Sequence, residues 1–245
     1  MRADYLALVV STRAHGEHGA VVRLMTEEDG LLAAYVRGAR GRRLGPVLVP
    51  GNLVGAALAA RTETQLPHAS VELVHSRGPL LSEPLPAAAI AWATSLVAAA
   101  LPEGQAYPAV HGALVALLEA VEAAPSVSGW GAALVRFELL MLRELGFGLD
   151  LEACAVTGEA DDLVAVSPKS GRAVSAGAAK PYRGQLLPLP SFLAQGGSAG
   201  LHDVLDGLRL SGHFLERDLL IDRAAKALDA RARLVGLLER AAGER

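Results

Sequence analysis

The hydrophobic period of this chain changes once, near Pro84, and that change limits the fold more than any single motif. Upstream, apolar and polar residues alternate in short runs broken by Gly, Pro and Asp, the pattern of strands with one buried face. Downstream, alanine and leucine dominate and apolar residues recur every three or four positions, as in helices that pack along one stripe. Strands first and helices after, with no alternation between them, predict an α+β chain. A small β unit is expected over residues 1–80 and a helical unit over 81–245.

Five strand-like runs are expected: Tyr5 to Thr12, Ala20 to Thr26, Leu31 to Val36, a run from Leu53, and Val71 to Val74. In the second, Val22 and Leu24 alternate against Arg23 and Met25, and Glu28-Asp29-Gly30 after it reads as a hairpin turn. In the fourth, Val54, Ala56, Leu58 and Ala60 share a face, with Arg61, Glu63 and Gln65 on the other. This is the inventory of a small, partly open barrel such as the OB-fold, which binds single strands across one face and between its loops. The spacing fits other five-stranded barrels equally well.

Between the third and fourth strands lies VRGARGRRLGPVLVP, Val36 to Pro50. It carries Arg37, Arg40, Arg42 and Arg43 spaced by glycines, and no acid occurs between Gly30 and Thr62. It reads as a mobile cationic loop whose guanidiniums take phosphates without a fixed docking geometry. The whole chain has a net charge of -3, yet residues 1–78 hold nine Arg against seven acids, so the basic surplus sits beside this loop. The barrel offers only Tyr5 and Tyr35 for stacking, Tyr5 reading as core, so its grip on nucleic acid is expected to be electrostatic and largely blind to sequence.

In the helical unit, Ile90, Ala93, Leu96, Val97 and Leu101 make one stripe; a second helix spans Ala109 to Ala123 and closes at Pro125. A third runs from about Trp130 to Leu145, with Leu134, Phe137, Met141 and Leu145 buried. Arg136 and Arg143, seven apart, project together on another face; with Lys169 they form a candidate receptor for an acidic peptide tail, unless Glu138 and Glu144 occupy them. Residues 150–190 lack a sustained period and read as a loop-rich insert, in which Leu163 to Val166 and Arg172 to Ser175 pair as a hairpin. Two more helices follow, the first striped by Leu201, Val204, Leu205, Leu208 and Leu215, the last over Ala230 to Ala242 with Asp229 as its cap.

The lone Cys154 excludes an intramolecular disulfide and an all-cysteine metal cage, and suits a reducing cytoplasm. The N-terminus carries Asp4 inside its first apolar run and reads as a strand, not a signal peptide; the longest uncharged run, Ala87 to Val110, is broken by Pro102 and Glu103 and reads as a buried helix. Three local patterns suggest catalysis and fail in context. His15-Gly16-Glu17-His18 lacks a third ligand and reads as a turn; Gly196-Gly197-Ser198-Ala199-Gly200 has no strand before its serine, which reads as a helix cap; Glu159, Asp161 and Asp162 read as solvated acids. No catalytic residue, cofactor or metal is therefore assigned. The alternatives are a metal-dependent nuclease or hydrolase using Asp161 and Asp162, or a general RNA-binding OB module.

Two stretches carry a family resemblance. The first is Arg37-Gly38-Ala39-Arg40 with Leu44, Pro46, Pro50 and Arg61-Thr62-Glu63; the second is Arg136-Phe137-Glu138-Leu139, Leu145-Gly146-Phe147-Gly148, and Cys154-Ala155-Val156-Thr157-Gly158 leading to Ser167-Pro168-Lys169-Ser170-Gly171. In order and spacing they resemble the RecO family of recombination mediators over nearly the whole chain. The resemblance implies an N-terminal OB-fold and a helical C-terminal domain, and no enzymatic activity. It also implies binding and annealing of single- and double-stranded DNA, contact with the acidic C-terminal tail of the single-stranded-DNA-binding protein, and loading of RecA together with RecR, in the cytoplasm. Arg37, Arg40, Arg42, Arg43 and Arg61 would then contact the DNA backbone. Many members hold zinc through four cysteines in the insert; here Cys154 lies near the first ligand position, Thr157 at the second and Ser175 near the third, which leaves a site remnant without metal.

Overall fold

The computed structural model of this chain describes residues 2–62, 65–124, 126–221 and 225–243. Strands β1 (Arg2–His15), β2 (Gly19–Met25), β3 (Leu31–Val36), β4 (Leu53–Ala59) and β5 (His68–His75) close a barrel in the order β1-β2-β3-β5-β4, with β4 pairing back onto β1. Neighbours are antiparallel except β3 and β5, which run parallel and meet at Tyr35 and His68. The alternation in the sequence sets the inside: Val9, Val22, Leu24, Ala34, Val54 and Val71 fill the barrel. Tyr5 packs against this core, and its hydroxyl donates 2.6 Å to Asp29, which pushes the phenol up to about 12.

The opposite parity is not a uniformly wet face. Leu8, Val10, Met25 and Leu31 join the core of the helical part. Met25, expected beside Arg23 on a polar face, is fully buried there, while Arg23 reaches Glu103 at 3.1 Å and donates to the Ala98 carbonyl. The approach is close enough to require a glycine: Gly30 has φ +69°, and a Cβ built on it would stand 1.7 Å from the Gln105 carbonyl oxygen. Arg77, 5% exposed, donates 2.8 Å to the Gly51 carbonyl within the barrel part and adds a second tie through its Nε, 3.2 Å from Glu122 though outside hydrogen-bond geometry.

The fourth strand is shorter than its alternation suggested. It stops at Ala59, so Arg61 lies beyond the sheet, and Glu63 falls outside the described residues. The fifth is longer, beginning at His68.

Helices α1 (Pro84–Ala100), α2 (Pro108–Ala123) and α3 (Val127–Glu144) follow; Pro125, expected to close α2, lies outside the described residues. The insert holds β6 (Leu163–Val166), β7 (Ala173–Ser175) and β8 (Leu187–Pro188) as one sheet ordered β7-β6-β8, with the four-residue helices α4 (Ala176–Ala179) and α5 (Ser191–Ala194). The expected hairpin is β6-β7; β8, two residues long, carries no period by which to be foreseen. Helices α6 (Leu201–Phe214) and α7 (Ala225–Gly243) complete the chain.

Two expected caps are corrected. Gly200, not Ser198, caps α6, its backbone N–H donating 3.0 Å to the Asp203 carboxylate. Asp229 lies inside α7 and caps nothing.

One polar cluster ties four helices together. Glu138 of α3 is fully buried and accepts from Trp92 Nε1 of α1 at 2.6 Å, from Arg231 Nε and Nη2 of α7 at 3.2 and 3.0 Å, and from the Ser211 hydroxyl of α6. Arg231, 8% exposed, also donates to the Leu208 carbonyl and lies 5.7 Å from the Trp92 ring centroid. Glu138 therefore faces away from Arg136 and does not pair with it, contrary to the expectation from their adjacency.

Candidate nucleic-acid interface

The segment after β3, expected as a mobile loop, is tied to the barrel by hydrogen bonds and buried side chains. Between Arg37 and Pro50 the backbone makes successive turns, closed by Gly41 N–H to Gly38 O at 2.9 Å, Gly45 N–H to Gly41 O at 2.9 Å, and Leu48 N–H to Leu44 O at 3.1 Å. Ala39 and Leu48 are buried in the barrel core, with Leu44 and Val47 packed against it. The Thr12 hydroxyl donates 2.7 Å to Leu48 O, and the Asn52 amide donates to Pro46 O and Val47 O at 2.9 and 3.1 Å. Apolar anchors thus hold the turns against one side of the barrel while the arginines face out.

Arg37, Arg40, Arg42, Arg43 and Arg61 are all exposed, and none forms an ion pair with a carboxylate among the described residues. Among the described residues Arg40 alone of the group is bonded, its Nη1 donating 3.3 Å to the Glu17 carbonyl and its backbone N–H 3.5 Å to His18 O, which laces the arginine segment to the β1-β2 turn. Register places Arg37 two residues past Tyr35, and Arg61 two past Ala59, whose partner in β5 is His68. Because β3 and β4 run in opposite directions, the two arginines lie on either side of the Tyr35–His68–Ala59 row. Unneutralised guanidiniums on a pinned backbone can release counterions from a polyanion with little ordering cost of their own.

The structure also places rings here that the sequence did not group. Tyr35 is half-buried on the outer face of β3, with the exposed His15 and His68 rings at 6.0 and 5.4 Å and nearly perpendicular to it, at 81° and 85°. Its ring covers Gly19, where an added Cβ would fall 2.1 Å from the hydroxyl oxygen. The readable signal was parity, since Tyr35 alternates against the inward Ala34 and Val36 and cannot share their core.

A second candidate surface lies on α3. A groove of about 320 Å3 is lined by Arg136, Leu139, Leu140, Arg143, Leu149, Leu151 and Leu193. Arg136 is held at its mouth, donating 3.0 Å to Phe192 O and 3.4 Å to Gly197 O and lying 5.4 Å from the Phe192 ring centroid. Arg143 is mostly exposed and, among the described residues, pairs with the Glu144 carboxylate at 3.2 Å. Lys169, on the β6-β7 turn, is exposed and does not line the groove; its carbonyl accepts from Arg217.

In the insert, Cys154, Thr157 and Ser175 do converge, but through hydrogen bonds. Cys154 is fully buried, its sulfur accepts the Ser175 N–H at 3.3 Å, and donation by Ser175 and then Thr157 pulls the thiol down to about 6, against the opposing effect of burial. One thiol among two hydroxyl-bearing residues is not a zinc donor set. No group of three or more His, Cys, Asp or Glu poised for a metal occurs among the described residues, including around Asp161, Asp162 and the His15–His18 turn. Nor is any described helix long and apolar enough to cross a membrane.

The family model described as "Recombination protein O N terminal" matches residues 1–77, and "Recombination protein O C terminal" matches residues 82–227. The chain is 49% identical over 215 residues to the DNA repair protein RecO of Caulobacter vibrioides (strain NA1000 / CB15N), covering 86% of each. It is 44% identical over 232 residues to that of Rhodospirillum centenum, covering 94% of this chain and 91% of the relative. To that of Gluconacetobacter diazotrophicus it is 42% identical over 237 residues, covering 95% and 93%. The barrel, helices α1 to α6 and both motif stretches fall within the two family models, and the chain belongs to the RecO family of DNA repair and recombination proteins.

Proposed function

We propose that this chain is a non-enzymatic recombination mediator whose barrel, an OB-fold, holds single- and double-stranded DNA by its phosphates. The strand order with β3 parallel to β5 supports the OB-fold reading. The observation that carries the function is the set of exposed arginines, Arg37, Arg40, Arg42, Arg43 and Arg61, which have no carboxylate partner among the described residues, the first four of them on an anchored backbone. Such a surface reads phosphates and not bases, and it promotes annealing by screening the repulsion between two strands, with no bond made or broken and no cofactor.

The groove on α3 is the proposed receptor for the acidic C-terminal tail of the single-stranded-DNA-binding protein: Arg136 and Arg143 supply cations and Leu139, Leu140 and Leu193 an apolar floor. Holding DNA with one part and the coat protein with the other, the chain would act with RecR to let RecA load.

The test is annealing of complementary strands coated by the single-stranded-DNA-binding protein, with its tail intact or removed, together with the salt dependence of DNA binding. Annealing is expected to depend on the tail. Changing Arg42 and Arg43 to Ala should reduce the slope of log K against log salt by about 0.7 per lost single-strand contact. An unchanged slope would place the phosphate contacts elsewhere, and tail-independent annealing would remove the coat protein from the groove.

A further inference from the structure

We propose that His15, Tyr35 and His68 form a nucleobase-stacking subsite, so that the barrel grips unpaired bases as well as phosphates. This rests on the reading of the barrel as a DNA-binding surface and adds to it a term selective for single strands. Three strands contribute: His15 ends β1, Tyr35 lies next to last in β3 and His68 opens β5. The rings meet only because β2 begins with Gly19, whose missing side chain lets Tyr35 lie across the strand towards His15. Edge-to-face contacts at 6.0 and 5.4 Å fix the Tyr35 ring before any ligand arrives, which lowers the ordering cost of stacking a base on the cluster.

Position argues for a ligand. Tyr35 is absent from both the barrel core and the helical core, and the two histidines are exposed. Arg37 and Arg61 flank the row and Arg13 stands on the same face, its partner Val21 pairing in turn with Tyr35, so phosphates held by the arginines would bring bases over the rings. Single strands are bound by this combination of a cationic track and ring faces. Paired bases are already stacked on one another and cannot use it.

The experiment measures binding of the full-length protein, by fluorescence anisotropy, to an oligothymidylate, to an abasic strand of equal length, and to a duplex. Tyr35→Leu should weaken oligothymidylate binding on the order of tenfold, with the salt slope unchanged and the abasic strand and duplex bound as before. Tyr35→Phe should retain wild-type binding. His15→Ala combined with His68→Ala, both at exposed positions, should weaken oligothymidylate alone by a smaller factor and guards against a folding defect in Tyr35→Leu. If Tyr35→Leu and the histidine pair bind oligothymidylate as the wild type does, the subsite is overturned while the arginine reading stands. An equal loss on all three ligands also overturns it, by showing a structural role. Wild-type protein that binds none of them refutes both readings.

Discussion

Replacing Glu138 with Gln should destabilise the protein far more than so small a change suggests. The carboxylate is fully buried and accepts two bonds from Arg231, at 3.2 and 3.0 Å, and one from Trp92 at 2.6 Å. Glutamine keeps the volume and one acceptor oxygen, but its NH2 faces a donor, and Arg231, 8% exposed, loses its counterion. Removing one partner of a buried pair costs about 3–5 kcal/mol, because the other charge remains in a low-dielectric site. Ser211 is spared, since its hydroxyl also donates 2.9 Å to Gly207 O. For a domain of this size each kcal/mol lowers the melting temperature by about 2–4 °C, so a fall on the order of 10 °C is expected. Urea denaturation followed by circular dichroism should show the loss in the midpoint with the slope m unchanged. The double change Glu138→Leu with Arg231→Met removes both charges and should recover most of the loss, since apolar replacement of a buried pair is often neutral or stabilising. A cost for Glu138→Gln below about 1 kcal/mol, or a double variant no better than the sum of its single changes, would refute the argument.

Other consequences are as concrete. Arg143→Glu should abolish binding of an acidic tail peptide, measured by calorimetry, while DNA affinity and stability stay near wild type, because its one ion pair among the described residues is the exposed one with Glu144; an unchanged peptide affinity would move the receptor off α3. The Cys154 thiol, lowered from 9.0 to about 6 in the folded protein, contributes stability that is fully present above pH 9 and is lost as pH falls through 6; the urea midpoint should therefore rise from pH 6 to 9 more in the wild type than in Cys154→Ala, and parallel profiles would count against it. Gly30→Ala and Gly38→Ala share a left-handed φ, +69° and +70°, but only the first meets backbone, at 1.7 Å from Gln105 O. Gly38→Ala should thus cost about 1–2 kcal/mol for its backbone conformation alone, and Gly30→Ala distinctly more in the same denaturation assay.

Parity and period made most of the architecture legible. Alternation in β2 and β4 told which side chains enter the barrel, and the change of period at Pro84 separated strands from helices. What parity could not tell is what covers the other face: Met25 and Leu31 look like ordinary strand residues until helices more than fifty residues downstream pack on them. The arginine segment misled for a related reason. Its anchors Ala39, Leu44, Val47 and Leu48 lie on successive turns, which have no period, so they register only as scattered apolar residues among glycines. The arginines themselves were legible because exposure is the ordinary fate of that side chain, and the ring cluster was not, because it depends on a glycine in a fourth strand.

Glu138 was readable in a way that residue-type expectations hid. It stands four residues after Leu134 and three before Met141, on the buried stripe of α3, and Arg231 stands four after Ala227 and three before Leu234, on the buried stripe of α7. A charge on such a stripe is either a break in the helix face or half of a pair, because a lone buried ion is too costly to keep. Two stripe-breaking charges of opposite sign, on helices that must both pack against the same core, therefore imply each other across 93 positions of sequence. The sign of the second charge is the discriminating evidence: had position 231 carried an acid, burial of both would have been untenable, and α3 or α7 would have had to turn its stripe to solvent.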